Sequence, residues 1–559
     1  MKTLILAIAY LACFNIANSQ IPSLKKNEYG ATQLIVHGKP LLMLAGEANN
    51  SSGSNISHME KTMKDLHESN LNSLLVSVSW EIIEPTEGVF DFTSVDELLR
   101  VARENDMKLC ILWFASWKNG FSPYAPMWVL NDTKRFQRVK DEKGQNTRTL
   151  TPLCNANRDA DSKAYTALMK HIASVDSDKN TILVIQIENE VGVLRQTRDF
   201  SAEANKIFSS PVPEALIQYM LKNKSTLELE LKKAWEINGS KTKGTWSEVF
   251  GKGDDADLFF MAWHYSLYLN AIAESGKKAY NLPMFANCWM PQPRPNPGKP
   301  GNYPSGGPIV SVLDIWKAGA PSIDMLAPDI YGADFKDQVN NFHRTDNPLF
   351  IPETNTTDGP ASWAFAEHNA ICFSPFGIDN RGSVMVKEYG LISQLMPVIT
   401  QYQGTGKMFG IYKHRGDSTT GRDFVLNKDV KVSVTYSRGF MRPPAAKPAP
   451  APATGNTMGQ QNQEPSSYGI FIQTGENEFI VAGYNLSVST SAINPKKEVW
   501  LKDAWEGSYV DGVWKPKMLH NGDEAGFLRS DNPTYGIRAY RTNPAEPAIF
   551  KFKVLVYDK

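Results

Sequence analysis

Eight short apolar runs, each followed by a longer helix-like stretch, fill the first two-thirds of this 559-residue chain. Continuous apolar runs that alternate with helices are typical of a parallel sheet covered on both faces. Eight such units predict an α/β fold, a closed (β/α)8 TIM barrel, over residues 30–403. The runs are Leu41–Glu47, Leu71–Trp80, Lys108–Trp117, Thr181–Glu190, Leu282–Met290, Ser322–Tyr331, Asn347–Thr354 and Ile371–Asp379.

The pattern changes after residue 403 to short segments in which apolar and polar residues alternate. Asp511-Gly512, between two such segments, is a strong hairpin signal. We expect an all-β, sandwich-like accessory domain over residues 404–559. A Pro/Gln-rich stretch at about 443–467 is predicted to be a flexible loop inside it, because it cannot bury enough apolar surface.

The interval between the fourth and fifth runs, residues 191–281, is much longer than one helix requires. It contains a Leu/Glu/Lys-rich helical segment at Val212–Asn238. Two interpretations stay open: an insertion that narrows access to the barrel mouth, or a solvated helix without a role there.

The first 19 residues have the pattern of a cleaved signal peptide, with Lys2, an apolar stretch and small residues before Ser19. We therefore expect an exported protein, periplasmic or secreted. A lipoprotein anchor at Cys13 is disfavoured because Tyr10 replaces the expected aliphatic residue. No disulfide framework is expected among Cys110, Cys154, Cys288 and Cys372, which are widely spaced.

Charge and motifs exclude several classes of function. The 59 basic and 59 acidic residues balance, whereas a nucleic-acid-binding protein needs a basic surplus. No further apolar stretch is long enough to predict a transmembrane segment. Phosphate-loop, dinucleotide-binding and zinc-protease motifs are absent from the sequence, so no cofactor and no metal are predicted.

Two glutamates close predicted strands on opposite sides of the barrel. Glu190 ends the fourth run and Glu353 ends the seventh. Hydrolysis of a glycosidic bond needs two carboxyl groups beside the anomeric carbon, one to donate a proton and one to attack or to activate water. The sequence therefore predicts glycosidase chemistry. Glu188 is an alternative acid, because residues two apart share a strand face, but Glu190 lies nearer the open end.

The sequence resembles glycoside hydrolase family 35, the β-galactosidases. The resemblance covers roughly residues 30–400 and rests on Trp80-Glu81, Glu84–Phe92 (EPTEGVFDF) and Gln186–Gly192 (QIENEVG). Phe373–Asp379 (FSPFGID) is similar to a bacterial subgroup with a β-rich C-terminal domain. The stretch at Glu84–Phe92 is shared with related galactosidase families.

The resemblance implies a retaining mechanism, with Glu190 as acid/base and Glu353 as nucleophile. It further implies that Asn189 contacts the sugar 2-hydroxyl and that Tyr331 orients the nucleophile. Glu47 would bind galactose hydroxyls, and Trp117 or Trp289 would stack on a sugar face.

Two departures from the family pattern bear on sugar specificity. Ser116 stands before Trp117 where better-known members have a glutamate, so Glu47 or Asn119 is expected to substitute for that contact. The sequence around Glu47 is Gly46–Asn50 (GEANN) rather than the commoner S-G-x-x-H-Y form. The reaction type is thus better specified than the sugar.

The predicted function is an exo-acting β-galactosidase that removes terminal β-galactose from an oligosaccharide, with plant xyloglucan side chains as one candidate. The alternatives are a related β-glucosidase, β-mannosidase or arabinopyranosidase-like enzyme, and a non-catalytic carbohydrate-binding protein. The β-rich domain is either a structural brace or a polysaccharide-binding module, which exposed side chains at Trp500, Trp505 or Trp514 would favour. The oligomeric state is not specified.

Overall fold

The computed structural model describes residues 21–292, 298–332, 334–380, 385–413, 418–425, 427–436, 467–520 and 546–559. The predicted signal peptide, Cys13 and the predicted loop at 443–467 apart from Ser467 lie outside these residues, so they remain predictions.

A small antiparallel sheet precedes the barrel and consists of β1 (Ser23–Lys26), β2 (Thr32–Val36) and β3 (Lys39–Leu41). Leu34 and Val36 of this sheet share one apolar cluster with residues inside the barrel, among them Met43. Because Met43 is the first residue of the first barrel strand, the small sheet closes the amino-terminal end of the barrel.

Each of the eight predicted runs contains one strand of a closed parallel barrel, so the predicted fold class is confirmed. The next ten strands in chain order are β4 (Met43–Glu47), β5 (Ser73–Ser79), β6 (Lys108–Lys118), β7 (Arg138–Lys140), β8 (Asn146–Leu150), β9 (Ile182–Asn189), β10 (Met284–Trp289), β11 (Met325–Ile330), β12 (Phe350–Thr354) and β13 (Cys372–Pro375). β7 and β8 pair as a separate hairpin, and the other eight form the barrel in chain order, with β13 closing on β4.

Helices surround the barrel, and an extensive apolar layer lies between them and the strands. Their bounds are α1 (Ile56–Glu68), α2 (Trp80–Ile83), α3 (Thr93–Glu104), α4 (Met127–Asn131), α5 (Asn155–Asp176), α6 (Ala202–Phe208), α7 (Glu214–Lys222), α8 (Leu229–Ile237), α9 (Trp246–Phe250), α10 (Asp254–Ala279), α11 (Leu313–Gly319), α12 (Phe335–Phe342), α13 (Pro360–His368) and α14 (Val386–Tyr402). None of the helices in the described ranges combines the length and the apolar character needed to cross a membrane.

The long interval after the fourth barrel strand packs on the outside of the barrel. The predicted helix at Val212–Asn238 is two helices, α7 and α8, and their residues Leu216, Met220 and Trp235 are buried. Arg344 pairs with Glu228, at 3.1 Å, between the two helices. The apolar faces of these helices are thus used for packing.

The C-terminal part forms two antiparallel sheets. Its strands are β14 (Met408–Tyr412), β15 (Gly421–Val425), β16 (Val430–Tyr436), β17 (Tyr468–Gly475), β18 (Glu478–Tyr484), β19 (Leu486–Ala492), β20 (Lys497–Val510), β21 (Val513–His520) and β22 (Ala548–Asp558). A six-stranded sheet has the order β14-β17-β18-β22-β20-β21, and β15, β16 and β19 form a three-stranded sheet. Phe424 and Val432 of the small sheet share an apolar cluster with Phe471 and Phe552 of the large one, which makes a sandwich.

The predicted hairpin at Asp511-Gly512 connects β20 to β21. Both turn residues have positive φ, 51° and 73°, and Val510 pairs with Val513 across the turn. This is the backbone conformation that an Asp-Gly pair favours in a two-residue hairpin. The hairpin prediction is confirmed.

Candidate active site

A cavity of about 640 Å³ opens where the carboxyl ends of the barrel strands converge. Active sites of (β/α)8 enzymes occupy this end of the barrel. Five of the eight site residues predicted from the sequence line the cavity, namely Asn119, Glu190, Trp289, Tyr331 and Glu353. The described part of the insertion at 191–281 contributes no lining residue, so the structure does not support the interpretation that it narrows this cavity.

Glu190 and Glu353 lie close together at the cavity floor, as the strand positions predicted. One carboxylate oxygen of Glu190, one of Glu353 and one of Asp329 all lie within 4.8 Å of one another. The three side chains come from the ends of β9, β12 and β11, and each residue is at most 6% exposed. This separation leaves room for one anomeric carbon between Glu190 and Glu353.

The backbone at the end of β9 is irregular, and this separates Glu188 from Glu190. Both residues have positive φ, 59° and 44°, a left-handed conformation that non-glycine residues adopt at some energetic cost. The N–H of Glu190 donates a hydrogen bond of 3.0 Å to Oδ1 of Asn287 on β10, which holds this conformation. The strand alternation that made the two glutamates equivalent in the sequence does not apply here.

Glu188 is a structural residue rather than part of the cavity. Its carboxylate accepts hydrogen bonds from the backbone N–H groups of Ala115, Ser116 and Trp117, at 3.3, 3.1 and 2.7 Å. It therefore fixes the end of β6. The alternative assignment of Glu188 as the acid is inconsistent with this position.

Two donors hold the carboxylate of Glu353. The hydroxyl group of Tyr331 donates to Oε2 at 2.7 Å, and Nδ2 of Asn189 donates to Oε1 at 3.4 Å. Burial and the nearby charge of Glu353 raise the pKa of Tyr331, so its phenol stays a donor. Each oxygen of Glu353 thus has one donor that fixes its orientation.

The electrostatic environment keeps a proton on Glu190. Burial, followed by the negative charge of Glu353, raises the pKa of Glu190 to about 8, while the charge of Lys118 opposes the shift. A carboxyl group with this pKa is mostly protonated at neutral pH. A carboxyl group whose pKa is raised by its surroundings is suited to the role of general acid.

Glu47 does not line the cavity. It is fully buried, and neither carboxylate oxygen has a hydrogen-bond partner among the described residues. Burial and the charge of Glu353 raise its pKa well above the ordinary value, while the charge of Lys118 lowers it. The predicted contact with galactose hydroxyls is therefore not available in this conformation. Asn119, by contrast, lines the cavity, and its Oδ1 has no partner among the described residues.

Trp117 cannot stack on a sugar, and this prediction is wrong. Its side chain is fully buried between β6 and α10, where it packs edge-on against Tyr265 and Tyr268, and its Nε1 donates to the carbonyl of Leu150. The register of β6 with β9 shifts after Trp113, which the sequence did not reveal. Trp289 is 37% exposed and lines the cavity, so its predicted role as a stacking surface stays a prediction that its position allows.

Sequence reasoning missed three polar residues at the cavity floor. Asp329 and Lys118 line the cavity, and Asn287 connects Asp329 to the backbone of Glu190. A signal for Asp329 was present, since it is an acidic residue within an apolar run and two positions before Tyr331. Lys118 directly follows the predicted third run.

In the described ranges, the group of side chains that could hold a metal ion is the same carboxylate cluster, Glu190, Asp329 and Glu353. Metal ligands must be deprotonated. Burial raises the pKa of Glu190 to about 8 and raises the pKa of Asp329 above its ordinary value. Both shifts favour the protonated carboxyl groups that proton transfer needs rather than the deprotonated form of a metal ligand.

Outside the barrel, Trp500 and Trp505 on β20 are 48% and 37% exposed.

The four cysteines Cys110, Cys154, Cys288 and Cys372 are buried and free.

Two family models match parts of the chain. Glycoside hydrolase family 42, described as Beta-galactosidase, matches residues 51–251, which include β5, β6 and β9 together with Glu190. A model described as a domain of unknown function (DUF5597) matches residues 385–530, from α14 into the C-terminal sheets. No curated protein sequence matches this chain.

The solved structures that match this chain have low sequence identity to it. The catalytic domain of β-amylase from Paenibacillus polymyxa is 14% identical, with a TM-score of 0.42, over 60% of this chain and 92% of that one. A β-galactosidase from the psychrophilic Marinomonas ef1 is 14% identical, with a TM-score of 0.43, over 65% of this chain and 60% of that one. A β-galactosidase from Bacillus circulans is 14% identical, with a TM-score of 0.40, over 60% and 50%.

The expected membership of family 35 is wrong, because the glycosidase model that matches is that of family 42. The two families belong to one clan. The departures at Ser116 and around Glu47 are consistent with this correction. A glycoside hydrolase model matches the part of the barrel that includes β9 and Glu190, and a carboxylate oxygen of Glu353 lies within 4.8 Å of one of Glu190, so the chain is a glycoside hydrolase.

Proposed function

We propose that this enzyme is a retaining, exo-acting β-galactosidase, with Glu190 as acid/base and Glu353 as nucleophile. One observation carries the proposal: carboxylate oxygens of these two residues lie within 4.8 Å of each other. Retaining glycosidases have carboxyl groups about 5 Å apart, whereas inverting enzymes separate them by roughly 6.5–9.5 Å to admit a water molecule.

In the first step, Glu353 attacks the anomeric carbon and forms a covalent glycosyl ester. Tyr331 and Asn189 hold its two oxygens, so one lone pair is directed at the sugar. Glu190 gives its proton to the departing glycosidic oxygen as the bond to that oxygen breaks. The raised pKa of Glu190 supplies this proton at neutral pH.

In the second step, the ester removes the negative charge of Glu353. That charge is one of the causes of the raised pKa of Glu190, so the pKa falls once the ester has formed. Glu190 is then a carboxylate that takes a proton from water, and the resulting hydroxide attacks the anomeric carbon and releases Glu353. The anomeric configuration is retained because two inversions occur.

Galactose as the sugar is supported by the description of the matching family model, Beta-galactosidase. Trp289 provides an exposed aromatic face at the cavity, and Asn119 provides an unpaired amide oxygen.

A panel of 4-nitrophenyl β-glycosides tests the proposal. We expect turnover of the β-D-galactoside above that of the glucoside, mannoside and α-L-arabinopyranoside, and NMR of early product should show β-galactose. Preferred turnover of another sugar would refute the galactose assignment, and an α-anomer would refute retention. Glu353→Gln should abolish turnover, whereas Glu104→Gln on the exposed face of α3 should not.

A further inference from the structure

Asp329 occupies a central place at the cavity floor that the two-glutamate mechanism does not use. It lies on β11, which is between β10 and β12 in the barrel. Its backbone pairs with Trp289 on β10 and with Glu353 on β12. It is 3% exposed and lines the cavity. Its carboxyl group therefore borders both proposed catalytic glutamates.

Asn287 connects Asp329 to the acid/base. Its Nδ2 donates to Oδ2 of Asp329 at 2.9 Å, and its Oδ1 accepts from the N–H of Glu190 at 3.0 Å. Oδ2 of Asp329 is thus a hydrogen-bond acceptor. Oδ1 has no partner of standard geometry among the described residues, and the nearest oxygens of the Asp329 and Glu190 carboxyl groups lie within 4.8 Å.

The surroundings of Asp329 disfavour a negative charge on it. Burial raises its pKa well above the ordinary value, and the negative charge of Glu353 raises it further. Several barrel strands carry, or are followed by, a titratable or charged group that interacts electrostatically with Asp329 or Glu190. The titratable and charged groups concerned are Glu47 on β4, Lys118 on β6, Glu190 after β9, Cys288 on β10, Tyr331 after β11 and Glu353 on β12.

We propose that Asp329 is a positioning residue that stays a neutral carboxylic acid through the reaction and donates a hydrogen bond from Oδ1 to the carboxyl group of Glu190. The proposal rests on the proposed function, because it assigns Glu190 as the acid/base. Asn287 orients the group by occupying Oδ2, so the proton of Asp329 is directed to the Glu190 side.

The consequence differs between the two half-reactions. In the first, Glu190 is protonated and the hydrogen bond only orients it. In the second, Glu190 is a carboxylate, and a neutral donor stabilises this form without adding charge. Asp329 keeps its own proton in both steps, and the proton taken from water goes to Glu190. The pKa of Glu190 is accordingly lowered by its interaction with Asp329.

Two substitutions of Asp329 distinguish a neutral carboxyl group at this position from a charged one. Asp329→Asn keeps the shape, with an amide N–H₂ in place of the acidic O–H and a carbonyl oxygen toward Asn287. We expect this conservative variant to keep a larger share of wild-type kcat/KM than Asp329→Leu, and the high-pH limb of its kcat/KM profile to stay in place. Asp329→Leu removes the donor, so kcat for substrates limited by the second step should fall about 10- to 100-fold, and the high-pH limb of kcat/KM should move to higher pH.

The opposite shift overturns the proposal. If Asp329 is a carboxylate, both substitutions remove a negative charge beside Glu190, which lowers its pKa and moves the high-pH limb to lower pH. The proposal is also contradicted if Asp329→Leu leaves unchanged both the high-pH limb of kcat/KM and the kcat of substrates that are limited by the second step.

Infrared difference spectra give a readout that does not depend on activity or on the folding of the leucine variant. In a Glu190→Gln background at pH 8, we expect that Asp329→Asn removes one protonated-carboxyl C=O band. Loss of a carboxylate band instead refutes a neutral Asp329. Failure of the proposed function is distinct, since it appears as wild-type enzyme that does not cleave β-galactosides or as activity that survives Glu353→Gln.

Discussion

The hydroxyl group of Tyr331 donates a hydrogen bond of 2.7 Å to Oε2 of Glu353. The two residues come from consecutive barrel strands, and this bond fixes the carboxylate that we propose as nucleophile. Tyr331 is 46% exposed as a whole residue, so its ring borders the substrate cavity while its hydroxyl group is committed to Glu353.

Removing this hydroxyl group should slow the first chemical step. Hydrogen bonds to charged groups contribute about 1.5–3 kcal/mol, so Tyr331→Phe should lower kcat/KM for a 4-nitrophenyl β-galactoside by about 10- to 100-fold. Thermal unfolding should change little. The same change at Tyr29, which is exposed far from the site in the small N-terminal sheet region, is the matched control and should have no effect. Unchanged kinetics of Tyr331→Phe would contradict the orienting role.

Glu188 and Glu190 should respond differently to the same substitution. In Glu188→Gln, an amide N–H₂ replaces an oxygen that accepts backbone N–H groups at the end of β6, so the free energy of unfolding should fall by about 1–3 kcal/mol. Denaturant titration measures this loss. A stable but inactive Glu188→Gln enzyme would be incompatible with the structural role.

Glu190→Gln should fold normally and lose activity according to the leaving group. General acid catalysis contributes about 10²- to 10⁴-fold, so substrates with poor leaving groups should suffer most, and 2,4-dinitrophenyl galactoside least. Azide should partly rescue Glu190→Ala, because a small nucleophile does not need the base. If neither effect is seen, the assignment of Glu190 as acid/base does not hold.

Activity should fall as the pH rises through about 8, the pKa of Glu190. Glu190 must be protonated to act as an acid, and its pKa is raised, so the active form persists from acidic pH up to that value. The pH dependence of kcat/KM, which reports the free enzyme, measures the limb. Lys118→Met should move the limb to higher pH, because the charge of Lys118 lowers the pKa of Glu190. A limb near pH 4–5 would exclude the raised pKa.

Substitution of the two tryptophans that were predicted to stack on a sugar should change different properties: substrate binding for Trp289 and folding stability for Trp117. Trp289→Ala should raise KM about tenfold, a loss of about 1.4 kcal/mol, because an exposed face at the cavity disappears. Trp117→Ala should lower the free energy of unfolding by about 3–5 kcal/mol, because a fully buried ring is removed. Michaelis kinetics and denaturant titration distinguish the two, and a purely kinetic effect of Trp117→Ala would oppose its burial.

The barrel could be predicted because its signal is repeated and local. Each strand is a continuous apolar run, since parallel strands are covered on both faces, and the chain supplies this pattern eight times. Asp511-Gly512 likewise specifies its turn through backbone preference alone. The pairing of Glu190 with Glu353 followed directly, because strand ends four and seven converge at one mouth.

The orientation of individual side chains in the site could not be predicted, because it depends on departures from regular strand geometry. Positive φ at Glu188 and Glu190 ends the alternation that a strand pattern assumes. The register shift in β6 directs Trp117 outward, toward α10. Glu47 is fully buried and does not line the cavity. The family assignment failed for a related reason, since Glu84–Phe92 is shared among galactosidase families and does not separate them.

Covalent trapping tests the central claim most directly. Incubation with 2,4-dinitrophenyl 2-deoxy-2-fluoro-β-D-galactoside, followed by peptide mass spectrometry, identifies the residue that forms the glycosyl ester. We predict one 2-fluorogalactosyl group, attached to Glu353 in the peptide that contains Phe350–Thr354, with no label in Glu353→Gln. A label on Glu190, Asp329 or Glu47, or wild-type enzyme that turns over β-galactosides without accumulating any ester, would contradict the account.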